Sequence, residues 1–183
     1  MARENFILRC RCCILLAVLL AVRLSEAVMD TSCSAWFPLL TRPVCIQKFC
    51  EAKTYADAEK HCQQFNGTLV TVCSEEENDI ISVFNYVHFP WGREDYTYIG
   101  LKRESPTSNN FKWASGLECN YTLWSPGEPN NGGGGSVKEA CVQYLTLVGA
   151  HYWKWNDVSC DYKMFYICET KCNSIGYKAL TID

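Results

Sequence analysis

Trp124-Ser125-Pro126-Gly127-Glu128-Pro129-Asn130 and, further along, Trp155-Asn156-Asp157-Val158-Ser159-Cys160 are the two stretches whose reading decides the fold. Glu139 lies between them, just before Cys141. Together they supply three carboxylates (Glu128, Glu139, Asp157) and two amides (Asn130, Asn156), with no sulfur or imidazole among them. Such a set suits a hard cation that takes roughly six to eight oxygens, calcium rather than zinc. Three carboxylates facing one point repel one another unless a cation lies between them. The spacing alone is equally compatible with solvated loop side chains, because calcium loops without a rigid template have no fixed interval.

The first stretch lies within 115–138, a long segment with no convincing helix or strand and a glycine run, Gly132-Gly133-Gly134-Gly135. A loop that long inside a compact domain is functional or disordered. Around it the pattern is mixed. Thr54 caps a helix with Tyr55, Ala58, Cys62 and Phe65 at helical spacing. Ser74-Glu75-Glu76-Glu77 reads as a capping box that opens a second helix, with Ile80, Ile81, Phe84 and Val87 on one face. Short strands are expected at 46–49, 69–72, 97–101, 111–113, 141–145, 152–156 and 165–167. Trp113, Trp153 and Trp155 read as core, and His61 reads as facing solvent.

Of 183 residues, 13 are cysteine, and the formal net charge is −3. That cysteine content points to an oxidising compartment. An odd count in a secreted chain needs an explanation, and the N-terminus supplies one. Arg3, Arg9 and Arg11 precede an apolar run from Cys12 to Val22, and Ser25-Glu26-Ala27 forms a small-x-small cleavage site. Residues 1–27 therefore read as a signal peptide. A membrane anchor needs about 20 apolar residues, and Arg23 and Glu26 interrupt the run. A palmitoylated Cys10/Cys12/Cys13 cluster is the lesser alternative. Cleavage leaves ten cysteines, 13 basic and 18 acidic residues, and an even cysteine count reads as a disulfide framework. The expected organisation is a lead at 28–32, one domain at 33–172 and a tail at 173–183, with no membrane span after cleavage. Asn66-Gly67-Thr68 and Asn120-Tyr121-Thr122 are sequons that make Asn66 and Asn120 candidate N-glycosylation sites.

With these residues in order, the chain resembles the C-type lectin-like domain in its long, carbohydrate-binding form. Tyr55 to Cys62 looks like the family's first helix, and Tyr98-Ile99-Gly100-Leu101 looks like its central Trp-Ile-Gly-Leu strand with tyrosine for tryptophan. The two opening stretches and Cys62, Cys141, Cys160 and Cys168 complete the pattern. The resemblance implies an α+β fold, with two helices on small antiparallel sheets and a long calcium- and sugar-binding loop. It implies disulfides Cys33–Cys45, Cys62–Cys168 and Cys141–Cys160. It also implies Glu128, Asn130, Glu139, Asn156 and Asp157 as calcium and sugar ligands, with Pro129 in cis. In the family, Glu-Pro-Asn accompanies sugars with equatorial 3- and 4-hydroxyls: mannose, N-acetylglucosamine, glucose and fucose.

Three features depart from that pattern. The segment from Asn130 to Glu139 is longer by about three residues through its glycine run, and no tryptophan lies between Asn130 and Cys141. The auxiliary calcium site looks degraded, with Ala140 and Ser108 where acids often stand and Glu104 as a survivor, so one calcium is expected. Cys50, Cys73, Cys119 and Cys172 have no family partners. Cys73–Cys119 with Cys50–Cys172 is one possible pairing, and Cys172 joining two chains into a homo-oligomer is another.

The expected function is a secreted, calcium-dependent binder of glycans or glycoproteins. The alternative is a lectin-like domain that binds a protein partner. No basic stripe points to nucleic acid, and no nucleophile elbow, zinc-protease helix or phosphate loop points to an enzyme.

Overall fold

The computed structural model describes residues 32–87, 96–132, 138–145 and 153–175. The expected leader 1–27, most of the lead and the tail, Gly133–Gly135, His88 and His151 lie outside the described residues. The elements in order are β1 (Phe37–Leu39), β2 (Val44–Lys53), α1 (Tyr55–Gln63), β3 (Thr68–Leu69), α2 (Glu75–Val87), β4 (Tyr96–Arg103), β5 (Phe111–Trp113), β6 (Cys141–Leu145), β7 (Trp155–Val158) and β8 (Met164–Lys171), then a 3-10 turn at Cys172–Ile175. The architecture is α+β. Among the described residues the strands join in the order β1-β2-β8-β4-β6-β7, with β3 on β8 and β5 on β4. β4 and β8 run parallel and the other pairs are antiparallel. No helix among the described residues is long and apolar enough to cross a membrane.

The helices form where the caps and periodicity place them. The Thr54 side chain accepts from the Asp57 N–H, and Tyr55, Ala58 and Cys62 are buried on one face of α1. Ser74 Oγ accepts from the Glu77 N–H at 3.1 Å, the forward half of a capping box. The return half differs from expectation. Glu77 accepts from the Cys73 N–H at 2.8 Å, and its other oxygen takes Arg42 Nε at 2.7 Å and Thr41 Oγ1 at 3.0 Å. Arg42 also reaches Glu169 Oε2 at 3.0 Å. The cap thereby ties α2 to the β1–β2 turn and to β8.

Two apolar clusters hold the layers together. Ile81, Phe84, Ile99, Leu101, Val142 and Trp155 pack between α2 and the sheet. Tyr55, Ala58, Cys62, Tyr98 and Tyr166 pack beneath α1. Gly100 is required between them, because a Cβ there would lie 2.5 Å from the Leu69 carbonyl oxygen. Tyr98, at the tryptophan position of the resembled motif, is fully buried. Its hydroxyl is shared between the Ser159 and Tyr162 carbonyls, at 3.0 and 2.8 Å, and pins the chain just beyond Asp157.

Some expectations need correction. β1 is a strand that periodicity did not reveal, because three residues with a proline among them carry no alternation. β2 and β8 run several residues longer than their apolar cores. His61 is only half-exposed rather than fully solvent-facing. It packs edge-on against Phe49, Phe65 and Tyr166, and its Nδ1 lies 2.7 Å from the Tyr166 hydroxyl. Trp113 and Trp155 are core, whereas Trp153 is only half-buried, with its ring against exposed Tyr86.

Among the described residues five disulfides form: Cys33–Cys50, Cys45–Cys172, Cys62–Cys168, Cys73–Cys119 and Cys141–Cys160. The expected Cys33–Cys45 bond and the possible Cys50–Cys172 bond are therefore wrong; their partners are exchanged. The register explains why. Ser32 pairs with Phe49, so Cys33 runs beside the end of β2 and meets Cys50. Cys45 lies opposite Thr170 of β8, next to the turn that carries Cys172. Cys172 is bonded within the chain, so it is not a link between chains.

Candidate calcium and sugar site

The five expected ligands come from three segments that the core brings to one end of the sheet. β7 supplies two of them. Its alternation sends Trp155 and Asp157 to one face and Asn156 and Val158 to the other. Trp155 is fully buried. Its indole N–H donates to Asn78 Oδ1 at 3.1 Å, and the Tyr144 hydroxyl donates to the same oxygen. Asp157 sits two residues beyond this anchor, also fully buried.

The described part of the long loop, 115–132, is held at several points. Cys73–Cys119 ties its start to the segment before α2. Trp124 bridges to Trp155, with the Ser125 N–H donating to the Trp155 carbonyl and the Trp155 N–H to the Leu123 carbonyl, both at 2.8 Å. The chain then turns at Gly127, with the Glu128 N–H on the Ser125 carbonyl at 2.9 Å. The Glu128–Pro129 peptide is cis. Asp157 receives the next two residues: Oδ1 accepts the Asn130 N–H at 3.0 Å and Oδ2 the Asn131 N–H at 2.9 Å. Asn131 adopts a left-handed φ of 51°, which asparagine tolerates. Its side-chain oxygen accepts from the Glu139 N–H at 2.9 Å, while Glu139 Oε2 accepts from the Gly132 N–H at 2.6 Å. Cys141–Cys160 clamps β6 and β7 below.

Glu128, Glu139 and Asn156 line one open pocket of about 650 Å³, whose floor continues over Gln143, Leu145 and Val158. Asp157 and Asn130 do not line it; Asp157 is fully buried, close enough to Glu128 for the two carboxyls to share a hydrogen bond. Burial, that shared bond and the charges of Asp157 and Glu139 push Glu128 up to about 7. Two carboxylates this close share either a proton or a cation. Asn130 is exposed, and its amide lies over Gly132, where a Cβ would meet Asn130 Oδ1 at 2.2 Å.

Among the described residues, no three acidic, imidazole or thiol side chains form a closed metal centre. The three expected carboxylates are not gathered around one point: Glu128 and Glu139 line the pocket, whereas Asp157 is bound to Arg103, whose Nη2 lies 2.5 Å from Oδ2, and to the Asn130 and Asn131 amides. The hard-oxygen donors that line the pocket, Glu128, Glu139 and Asn156, suit one calcium ion. The expected auxiliary survivor, Glu104, is instead paired with Lys112 at 2.7 Å on the neighbouring strand. Both sequon asparagines, Asn66 and Asn120, are exposed.

Arg103 and Asn131 were missed from the sequence. Arg103 has the parity of Leu101, two residues earlier in β4, and parity alone points it inward. Asn131 was masked by Asn130 beside it, although asparagine entering a glycine run signals a left-handed turn.

Comparison with known proteins agrees with this architecture. The model of the Lectin C-type domain matches residues 51–170. Pig pulmonary surfactant-associated protein D is 32% identical over 117 residues, 64% of this chain, which spans 28% of that protein's length. The C-type lectin BfL-2 of Bungarus fasciatus is 30% identical over 157 residues, 86% of this chain and 93% of its own. Among solved structures, the carbohydrate-recognition domain of cow CD23, determined in the presence of a GlcNAc2Man3 oligosaccharide, superposes with a TM-score of 0.61 at 27% identity, over 75% of this chain and 94% of that one. The Ca2+-independent C-type lectin SPL-2 of Saxidomus purpuratus gives 0.61 at 25% identity, over 76% and 93%. With its family model matched over well over half its length, this chain belongs to the C-type lectin domain family, a family of non-enzymatic carbohydrate-binding proteins.

Proposed function

We propose that the protein is a secreted, calcium-dependent lectin for mannose-type sugars, exported by a leader at residues 1–27. The carrying observation is the convergence of Glu128, Glu139 and Asn156 on one pocket, with buried Asp157 close to Glu128. Calcium, when bound, supplies a coordination point for two vicinal sugar hydroxyls. The residues around it do the selecting. The carboxylates of Glu128 and Glu139 accept hydrogen bonds from those hydroxyls, and the amides of Asn130 and Asn156 donate to them. This order of acceptors and donors favours an equatorial hydroxyl pair. The oligosaccharide named for the cow CD23 structure contains mannose and N-acetylglucosamine, in keeping with that choice. A single open site of this kind binds weakly, so tight attachment requires clustered sugars or clustered sites.

The experiment is retention of the purified protein on mannose–agarose with calcium, followed by a chelator. Retention with calcium and release by chelator is expected. Retention that ignores the chelator contradicts the reading and places the chain with its calcium-independent relatives. Absence of retention favours a protein partner.

A further inference from the structure

Arg103 is a buried cation at the one place where a calcium-binding lectin loop needs positive charge. Its side chain is 1% exposed, and an unpaired charge at that depth would be prohibitive. Oxygens surround it instead. Nε donates to the Glu139 carbonyl at 2.8 Å and Nη1 to the Ser108 carbonyl at 2.7 Å. Nη1 also lies 3.5 Å from Asn109 Oδ1, and Nη2 donates to Asp157 Oδ2 at 2.5 Å. The Phe111 ring covers the guanidinium, 4.6 Å from Cζ. Oxygens from three separate segments around one positive centre make the kind of cage that holds a hard divalent ion. Here the cation is covalently attached to β4.

The consequences run through Asp157 and Glu139. Asp157 carries the N–H groups of Asn130 and Asn131, and Glu139 carries that of Gly132. Arg103 grips both residues, so it joins the two stems of the sugar loop to the sheet. The planar fork makes this possible, because it presents several fixed donors at once.

We propose that Arg103 is a positioning residue that serves as a permanent internal cation and holds Glu128–Gly132 and Glu139 in binding geometry before any metal arrives. It takes the organising role that a second metal ion would otherwise fill, and so leaves one exchangeable calcium. The inference rests on the proposed function for what the loop binds, but not for how the loop is held.

Amide hydrogen exchange in excess chelator tests it on the full chain. In the wild type, the Asn130, Asn131 and Gly132 amides are expected to be protected at least roughly tenfold without metal. Fast exchange at all three would overturn the proposal. Arg103→Gln should lose that protection while β2 and β8 keep theirs; retained loop protection would also overturn it. Arg103→Lys keeps the charge and loses the fork. It should retain more of the protection than Arg103→Gln and less than the wild type, and it covers the case in which Arg103→Gln does not fold. A lysine variant as unprotected as the glutamine variant counts against a role for the charge. A purely structural arginine would leave calcium affinity unmoved in folded variants. Here Arg103→Gln should weaken it about tenfold, because loop ordering then opposes binding, and Arg103→Lys should restore it to within a few-fold. If the wild type binds no calcium, the proposed function fails, while the chelator experiments still decide the role of Arg103.

Discussion

Asp157 has two carboxylate oxygens and four groups drawn to them: the Arg103 guanidinium, the Asn130 and Asn131 amides, and the Glu128 carboxyl. The first three hold the loop, and the fourth leaves a place for an ion. Glu139 divides its work differently. Its carbonyl oxygen belongs to Arg103, while its side chain faces the pocket and the Gly132 N–H. A substitution confined to that side chain removes the pocket carboxylate and the Gly132 contact but leaves the carbonyl's bond to Arg103. Calcium at about a hundredfold over its Kd should stabilise the native protein by about 2.7 kcal/mol, or roughly 5–10 °C in Tm for a domain of this size. Glu139→Ala should remove most of that increment in a thermal melt. An undiminished calcium shift in the variant would show that Glu139 is not a ligand.

At the level of elements, legibility followed periodicity. α1 and α2 stood out because each carries a cap and an apolar face, and Phe111–Trp113 and Cys141–Leu145 because alternating or continuous apolar residues fill them. β1 carries no such pattern, and the ends of β2 and β8 are polar residues held in strands only by their neighbours. His61 was misplaced for a similar reason. Helical spacing put it beside the buried stripe, and only the tertiary fold brings the Phe49 and Tyr166 rings over it. Burial, reinforced by Lys53, lowers its pKa below the ordinary 6.5. The native state then binds fewer protons than the unfolded chain below that pH. The resulting stability is present above about 6.5 and declines as pH falls through it toward the native value. Urea denaturation at about pH 7.5 and 5.5 checks this: the wild type should lose more stability on acidification than His61→Phe. Equal losses would mean that His61 does not carry the effect.

The whole molecule was legible where a pattern fixed both partners and illegible where only topology could. Cys62–Cys168 and Cys141–Cys160 follow from the family resemblance. Cys33 and Cys45, twelve residues apart on adjacent segments, do not pair, because the register of Ser32 on Phe49 and of Cys45 on Thr170 sends them to different partners. Cys45–Cys172 closes a loop of 127 residues, which joins the beginning of the domain to its end. Five candidate residues are legible in the sequence, but their arrangement is not. The sequence lists acids and amides, whereas the fold shows that one acid is already bound to Arg103. The central claim is that the remaining oxygens present one calcium ion to a sugar. A crystal structure with calcium and mannose tests it most directly. The account predicts a single ion bonded to Glu128, Asn130, Glu139, Asn156 and Asp157, with two vicinal hydroxyls completing its shell and Arg103 still on Asp157. A sugar bound without an ion, or an ion elsewhere with this pocket empty, would contradict it.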